Sequence, residues 1–388
     1  MEKIYYEKPY ACEFEAEVIT CEKGKDYYET ILDKTAFYPE GGGQPSDTGK
    51  LSGAHVIKVQ ERDGRIIHYT DTLFEKGTVV TGQIDWDRRF LNMQQHSGEH
   101  IVSGLIHAGY GYDNVGFHMG SEEMTIDLNG VLTWQQLMEI EKTANTIVYK
   151  NLPLHITYPT PEELTNLEYR SKKELSGQVR IVEVPGADVC ACCGTHVART
   201  GEIGLIKFLS VINYKGGVRI TMACGGKALT DYEQKTEQTN CLSALLSAKP
   251  DRLTEAVERL LKEKSEQDYK LEHVMRELLE LKADRYEAFG RELLVFEQGL
   301  PPVRVRRFCE LLLEKEKGSV VAVLSTKEGG GYNYCVGSRT FDMISLGKTL
   351  NTLLSGRGGG STMMIQGTFL AEESVIREAF ENETKKLF

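Results

Sequence analysis

Two histidines four residues apart stand in His96-Ser97-Gly98-Glu99-His100, within a stretch from Asn92 to His107 that reads as helix. Side chains at i and i+4 of a helix lie one above the other, so the two imidazoles share a face, as two ligands of one metal ion must. A second pair with the same spacing, Cys192 and His196, lies far along the chain inside Cys190-Ala191-Cys192-Cys193-Gly194-Thr195-His196. Imidazole nitrogen and thiolate sulfur are ligands that zinc prefers, and two separated pairs close a tetrahedron once the chain folds back. Either pair alone would read as surface or core residues; both together, with a dense cysteine cluster, indicate a site for one zinc ion. The metalloprotease pattern His-Glu-x-x-His is excluded, because Glu99 directly precedes the second histidine and faces elsewhere on a helix.

A chain of 388 residues, 40% apolar and 27% charged, is long enough for two or three domains with real cores. No stretch approaches the roughly 18 continuous apolar residues of a membrane span, and the N-terminus has no apolar signal core. The expected location is the cytoplasm, with no membrane partner. Nine cysteines, six of them scattered, do not form a disulfide framework in a chain of this size; metal ligation plus free thiols is the better reading. The net charge of −11 argues against nucleic acid at first sight, but residues 291–388 hold 13 basic and 12 acidic side chains. The acidity therefore resides in the rest of the chain.

The elements that must position these ligands give an α+β multidomain chain. Residues 1–88 read as short strands (Glu13 to Cys21, Asp26 to Leu32, Val56 to Glu61, Arg65 to Tyr69, Thr78 to Ile84) and fit a small antiparallel β-barrel. Between the strands lies Phe37-Tyr38-Pro39-Glu40-Gly41-Gly42-Gly43-Gln44-Pro45, a shaped loop whose glycines allow close backbone approach. Residues 89–240 form an α+β domain. It contains the histidine helix, a strand through Met124, Ile126 and Leu128, and a helix from Thr133 to Tyr149 with Thr133 as N-cap. A helix from Glu162 to Leu175 follows, then strands at Val179 to Val184, Leu205 to Ile212 and Val218 to Ala223, all in one sheet against which the histidine helix lies. Residues 250–289 form a long helical arm, either a coiled coil or packed on its own C-terminal domain. Residues 290–388 alternate strands and helices as a small α/β domain and include Gly356-Arg357-Gly358-Gly359-Gly360-Ser361, which would cradle phosphate or cap a helix.

Thr35 to Gly49, His96-x3-His100 and Cys192-Cys193-Gly194-Thr195-His196-Val197 together resemble the editing half of alanyl-tRNA synthetase and the free-standing AlaX trans-editing proteins. The arm and glycine-rich last domain resemble the synthetase's C-terminal domain (C-Ala, DHH-associated), so the likeness is to the long form, AlaX-L. Nothing in the chain resembles the class II aminoacylation domain, and a ligase is not expected. The resemblance implies zinc-assisted hydrolysis of the ester between a wrong amino acid, chiefly serine and secondarily glycine, and the terminal adenosine of tRNA(Ala). His96, His100, Cys192 and His196 become the zinc ligands, with Cys192 favoured over Cys190 and Cys193. Four protein ligands make a closed site, so one must yield to water or substrate, or the ion must expand its coordination.

Glu99 reads either as a general base or as an exposed carboxylate beside the site. Thr195 and Gly194 lie between ligands, where they bind substrate or form the turn. The resemblance implies that the segment after the metal helix helps read the serine hydroxyl, which makes His118 and Ser121 the candidates. Arg219 resembles a residue on a family strand beside the pocket. Gly41, Gly42, Gly43 and Gln44 are expected to close over the site or guide the acceptor end, and Arg357 with the C-terminal domain to contact tRNA. A homodimer through the arm and C-terminal domain is a further expectation. The rival readings are a deacylase for another mischarged aminoacyl-tRNA and a non-catalytic, zinc-stabilised tRNA-binding protein.

Overall fold

The computed structural model describes residues 1–120, 123–171, 177–288 and 290–388. The chain divides into two compact units, Met1–Leu242 and Ser243–Phe388. In the first, six strands close into a barrel in the order Glu13–Lys23, Tyr28–Leu32, Arg65–Thr70, Ala54–Arg62, Gly49–Leu51, Val79–Ile84. Period-two burial is plain in the first of these: Phe14, Ala16 and Val18 are buried while Glu13, Glu15 and Glu17 are exposed. Five of the six match the strands that alternation predicts. The sixth, Gly49–Leu51, is three residues long, too short to show a period.

His68 is fully buried in the barrel wall, its Nε2 2.8 Å from Thr35 Oγ1 and its Nδ1 3.1 Å from Thr30 O. Burial pulls its pKa down to about 4, against a small upward pull from the Thr30 carbonyl. In the unfolded chain the ring titrates near 6.5. Falling pH therefore protonates the unfolded state first, and stability present above about 6.5 is lost progressively down to about 4, by up to about 3 kcal/mol. Urea unfolding at pH 7 and at pH 4.5 reads this: His68→Gln loses about 2 kcal/mol less between the two than the parent does. Equal losses in both proteins would mean that His68 does not titrate in this window.

The remainder of the first unit is built around one helix, Trp86–Tyr110. Asp85 caps its N-terminus by accepting from Arg88 N, and Gly111, at φ 68°, ends it in the left-handed region that glycine adopts without strain. The next helix, Trp134–Tyr149, starts at a capping box in which Thr133 and Gln136 satisfy each other's backbone N–H groups. The single sheet expected here is in fact two. One is four-stranded and antiparallel, in the order Ile206–Tyr214, Gly217–Cys224, Met124–Leu128, Asn114–Met119. The other, His155–Thr157, Ile181–Val184, Asp188–Ala191, leads directly into Cys192. The helix expected from Glu162 to Leu175 is only Pro161–Thr165. It buries no residue, so no packing extends it; residues 172–176 lie outside the described ones.

A helix that periodicity does not predict, Gly226–Leu246, follows the second sheet strand and buries only Ala228, so it has no apolar stripe to read. In the second unit, the arm is a helix from Leu253 to Asp284. Met275, Leu279 and Ala283 pack on that unit's own core, while Leu260, Leu271, Val274, Leu278 and Leu281 remain exposed. The five-stranded sheet runs Glu292–Glu297, Val320–Thr326, Tyr332–Ser338, Met364–Phe369, Arg357–Gly360. The glycine run caps the preceding helix, Gly356 N–H donating to Asn351 O at 2.8 Å, and then continues as an exposed edge strand, Arg357–Gly360, on which Arg357 pairs with Thr368. No helix among the described residues is long and apolar enough to cross a membrane.

Candidate metal centre

The helix Trp86–Tyr110 delivers His96 and His100, and the loop after strand Asp188–Ala191 delivers Cys192 and His196. Their ligand atoms all lie within 4.8 Å of one another. Cys192 Sγ is 3.4 Å from His96 Nε2 and 3.3 Å from His196 Nε2. Zinc bonds of about 2.3 Å to sulfur and about 2.0 Å to nitrogen place tetrahedral neighbours roughly 3.5 Å apart, so these side chains fit the ion. The histidines are 1% to 3% exposed and Cys192 is half-buried. Cys193 is exposed, and Cys190 is buried beside His100 and Asp188, outside the four-residue cluster.

The hydrogen bonds on the far sides of the rings carry the strongest information. His96 Nδ1 is 2.8 Å from Gln44 Oε1, and His100 Nδ1 is 2.9 Å from Asp188 Oδ2. A carbonyl or carboxylate oxygen only accepts, so both rings hold a proton on Nδ1 and point Nε2 toward the cluster. His196 Nδ1 meets Ser97 Oγ at 3.1 Å, and that hydroxyl also accepts from Val197 N. Burial alone would raise the Cys192 thiol, but the three surrounding imidazoles outweigh it and hold the thiol well below its ordinary range. Burial pulls the His196 pKa down to about 3, which leaves its ring neutral. His100 is raised well above its usual value, because Cys192 and Asp188 outweigh the burial that opposes them. Metal binding therefore requires His100 to give up its extra proton, which leaves the Cys192 thiolate among neutral rings.

Gln44 is the residue whose role the sequence least discloses. Its Oε1 also accepts from Thr195 N at 3.1 Å, and its Nε2 donates to Thr195 Oγ1 at 2.8 Å. The glycine loop thus ties the barrel to both ligand segments. Gly43, at φ +86°, could not carry a Cβ, which would lie 2.5 Å from the Phe117 ring. Gly194 has the same constraint: a Cβ there would lie 2.0 Å from His96 Cε1. Gly41 and Gln44 close the turn on each other with Gly42 at its tip, and Gly43 O accepts from Met119 N.

Other expected site residues lie elsewhere. Phe117 packs 5.4 Å from the His96 ring, so strand alternation turns its neighbour His118 to the opposite face, where it is exposed. Arg219 lies on that outer face too, bonded to both Asp127 oxygens at 2.6 and 2.7 Å and stacked on Tyr214, while its neighbours Val218 and Ile220 enter the core. Glu99 is not an exposed carboxylate. It is buried and accepts from Ser103 Oγ and Asn114 Nδ2, and it is not part of the metal-ligand cluster. Ser121 lies outside the described residues. The residues that sequence reasoning missed are Ser97, next to His96, and Asp188, on the strand before Cys192; both meet their imidazoles only across the fold.

Comparison with known proteins agrees with this geometry. A family described as threonyl and alanyl tRNA synthetase second additional domain matches residues 179–221, the stretch that holds Cys192 and His196. A second, described as tRNA synthetases class II (A), matches residues 5–88. That match falls on the barrel. An alanine--tRNA ligase from Pyrococcus abyssi is 32% identical over 99% of this chain, which spans only 43% of that relative's length. The alanyl-tRNA editing protein AlaX-L of Pyrococcus horikoshii is 32% identical over 73% of this chain and 72% of its own. The solved C-Ala domain of Aquifex aeolicus alanyl-tRNA synthetase matches 24% of this chain and 87% of its own at 23% identity, with a TM-score of 0.22. With about a third of its residues shared over most of the length of an AlaX-L protein, and a His/Cys cluster that could hold a metal ion, the chain belongs to the alanyl-tRNA editing family of the AlaX-L type.

Proposed function

We propose that the chain hydrolyses the ester joining a wrongly loaded amino acid to the terminal adenosine of tRNA(Ala), serine foremost and glycine second. One observation carries this reading: in a chain of the editing family, three imidazoles and a thiolate converge, and two rings are locked by acceptor-only partners with Nε2 inward. His96, His100, Cys192 and His196 would hold a zinc ion, and its Lewis acidity would be the chemistry available to activate the ester and water there. The residues of the chain orient and discriminate. Gln44, Asp188 and Ser97 hold the three rings.

Thr195 takes the hydroxyl-reading role in place of His118. Gln44 Nε2 donates to Thr195 Oγ1, so the Thr195 proton is free to be given to a serine hydroxyl. Alanine has no acceptor there and leaves a buried donor unpaired, a penalty of about 1–3 kcal/mol.

The test is release of serine, glycine and alanine from tRNA(Ala) charged with each, by zinc-loaded protein. Serine is released fast and alanine is spared; Thr195→Val lowers the serine-to-alanine ratio roughly tenfold. A closed set of four protein ligands also suits a purely structural zinc. Zinc-loaded protein that holds tRNA but cuts no ester faster than buffer would favour that second reading.

A further inference from the structure

The three imidazoles differ in what supports them. The partners of His96 and His196 are neutral, the Gln44 amide at 2.8 Å and the Ser97 hydroxyl at 3.1 Å. The partner of His100 is the Asp188 carboxylate at 2.9 Å, with Asp188 itself gripped through both oxygens by Arg170, Nε to Oδ1 at 2.7 Å and Nη2 to Oδ2 at 2.9 Å. This charged chain is closed in: the side chain of Asp188 is 1% exposed and that of Arg170 is 12%. Arg170 is also sewn to the strand that carries Asp188, its N donating to Val189 O and its O accepting from Ala191 N. Arg170, Asp188 and the approach to Cys192 therefore move as one piece.

A charged acceptor makes a hydrogen bond about twice as strong as a neutral one and raises the donor strength of the ring it holds. Arg170 fixes both carboxylate oxygens and offsets the cost of burying them. We propose that Asp188, oriented by Arg170, makes His100 the anchoring ligand of the metal centre, and that His196, supported by a neutral hydroxyl, is the most loosely held. Asp188 and Arg170 are positioning residues in this scheme. The inference rests on the reading that these four side chains bind zinc.

Chelator competition on the purified full chain measures it. Asp188→Asn weakens zinc binding about 10- to 100-fold, Arg170→Gln weakens it in the same direction, and Ser97→Ala weakens it less than either. The nitrogen-15 spectrum of the zinc-loaded protein is a second readout: the hydrogen bond from His100 Nδ1 to Asp188 is present in the parent and lost in Asp188→Ala, with circular dichroism unchanged. Should the Asp188 variants not fold, Arg170→Gln, at a less buried position, carries the test. Zinc affinity of Asp188→Asn within about twofold of the parent, or a larger loss in Ser97→Ala, overturns the inference. A parent chain that takes up no zinc by mass spectrometry overturns the underlying metal reading instead, so the two failures are distinct.

Discussion

His96→Ala protein releases serine from Ser-tRNA(Ala) about 10³-fold more slowly than the parent and retains less than one zinc per chain. The size follows from the several kcal/mol of charge stabilisation that a metal Lewis acid contributes, each 1.36 kcal/mol being about tenfold in rate. His96 is the ligand to test because it joins everything else: its Nε2 meets Cys192, its Nδ1 meets the barrel's Gln44, and Gly194 packs against its ring. Truncation removes a ligand and leaves the Gln44 oxygen still satisfied by Thr195 N, so the fold should persist. Zinc content by mass spectrometry, ester release and tRNA binding are read on the same sample. A variant that loses zinc yet cuts at the parental rate would remove zinc from the chemistry. One that keeps zinc at parental affinity would remove His96 from the ligand set.

Arg89→Met destabilises the chain by about 3–5 kcal/mol, the cost of leaving one member of a buried ion pair alone. Arg89 lies in the first turns of the metal helix, and Asp47 follows the glycine loop of the barrel; both side chains are 0% exposed. The guanidinium meets both Asp47 oxygens and also donates to Pro9 O at 2.8 Å and Ala36 O at 2.5 Å. Asp47 in turn accepts from Tyr38 N. One side chain thus fixes the helix that bears His96 to the loop that bears Gln44. Urea unfolding measures the loss, and the double variant Arg89→Met with Asp47→Leu recovers part of it, because no charge is then stranded. A single-variant loss under about 1 kcal/mol would mean that water reaches Asp47 and the pair contributes little.

What the sequence determined by itself is whatever has a short period or a short spacing. Glu13 to Cys21 alternates every second residue, so its strand and its inward face are legible locally. His96 and His100 are one helical turn apart, and Cys192 and His196 share one short loop, so each ligand pair was set before any folding back. Glycine spacing and the cysteine cluster carried the family resemblance on the same local basis. The tertiary structure alone decided the supports of the ligands, since Gln44, Asp188 and Ser97 meet their imidazoles across 52, 88 and 99 residues. It also decided that Phe117 and not His118 faces the metal cluster, because a one-residue change of register reverses every side chain on a strand, and only the pairing with Met124–Leu128 sets that register. The Arg89–Asp47 pair was hidden for a related reason. Charged residues read as exposed in any local window, and only burial from several segments at once makes two of them worth keeping inside.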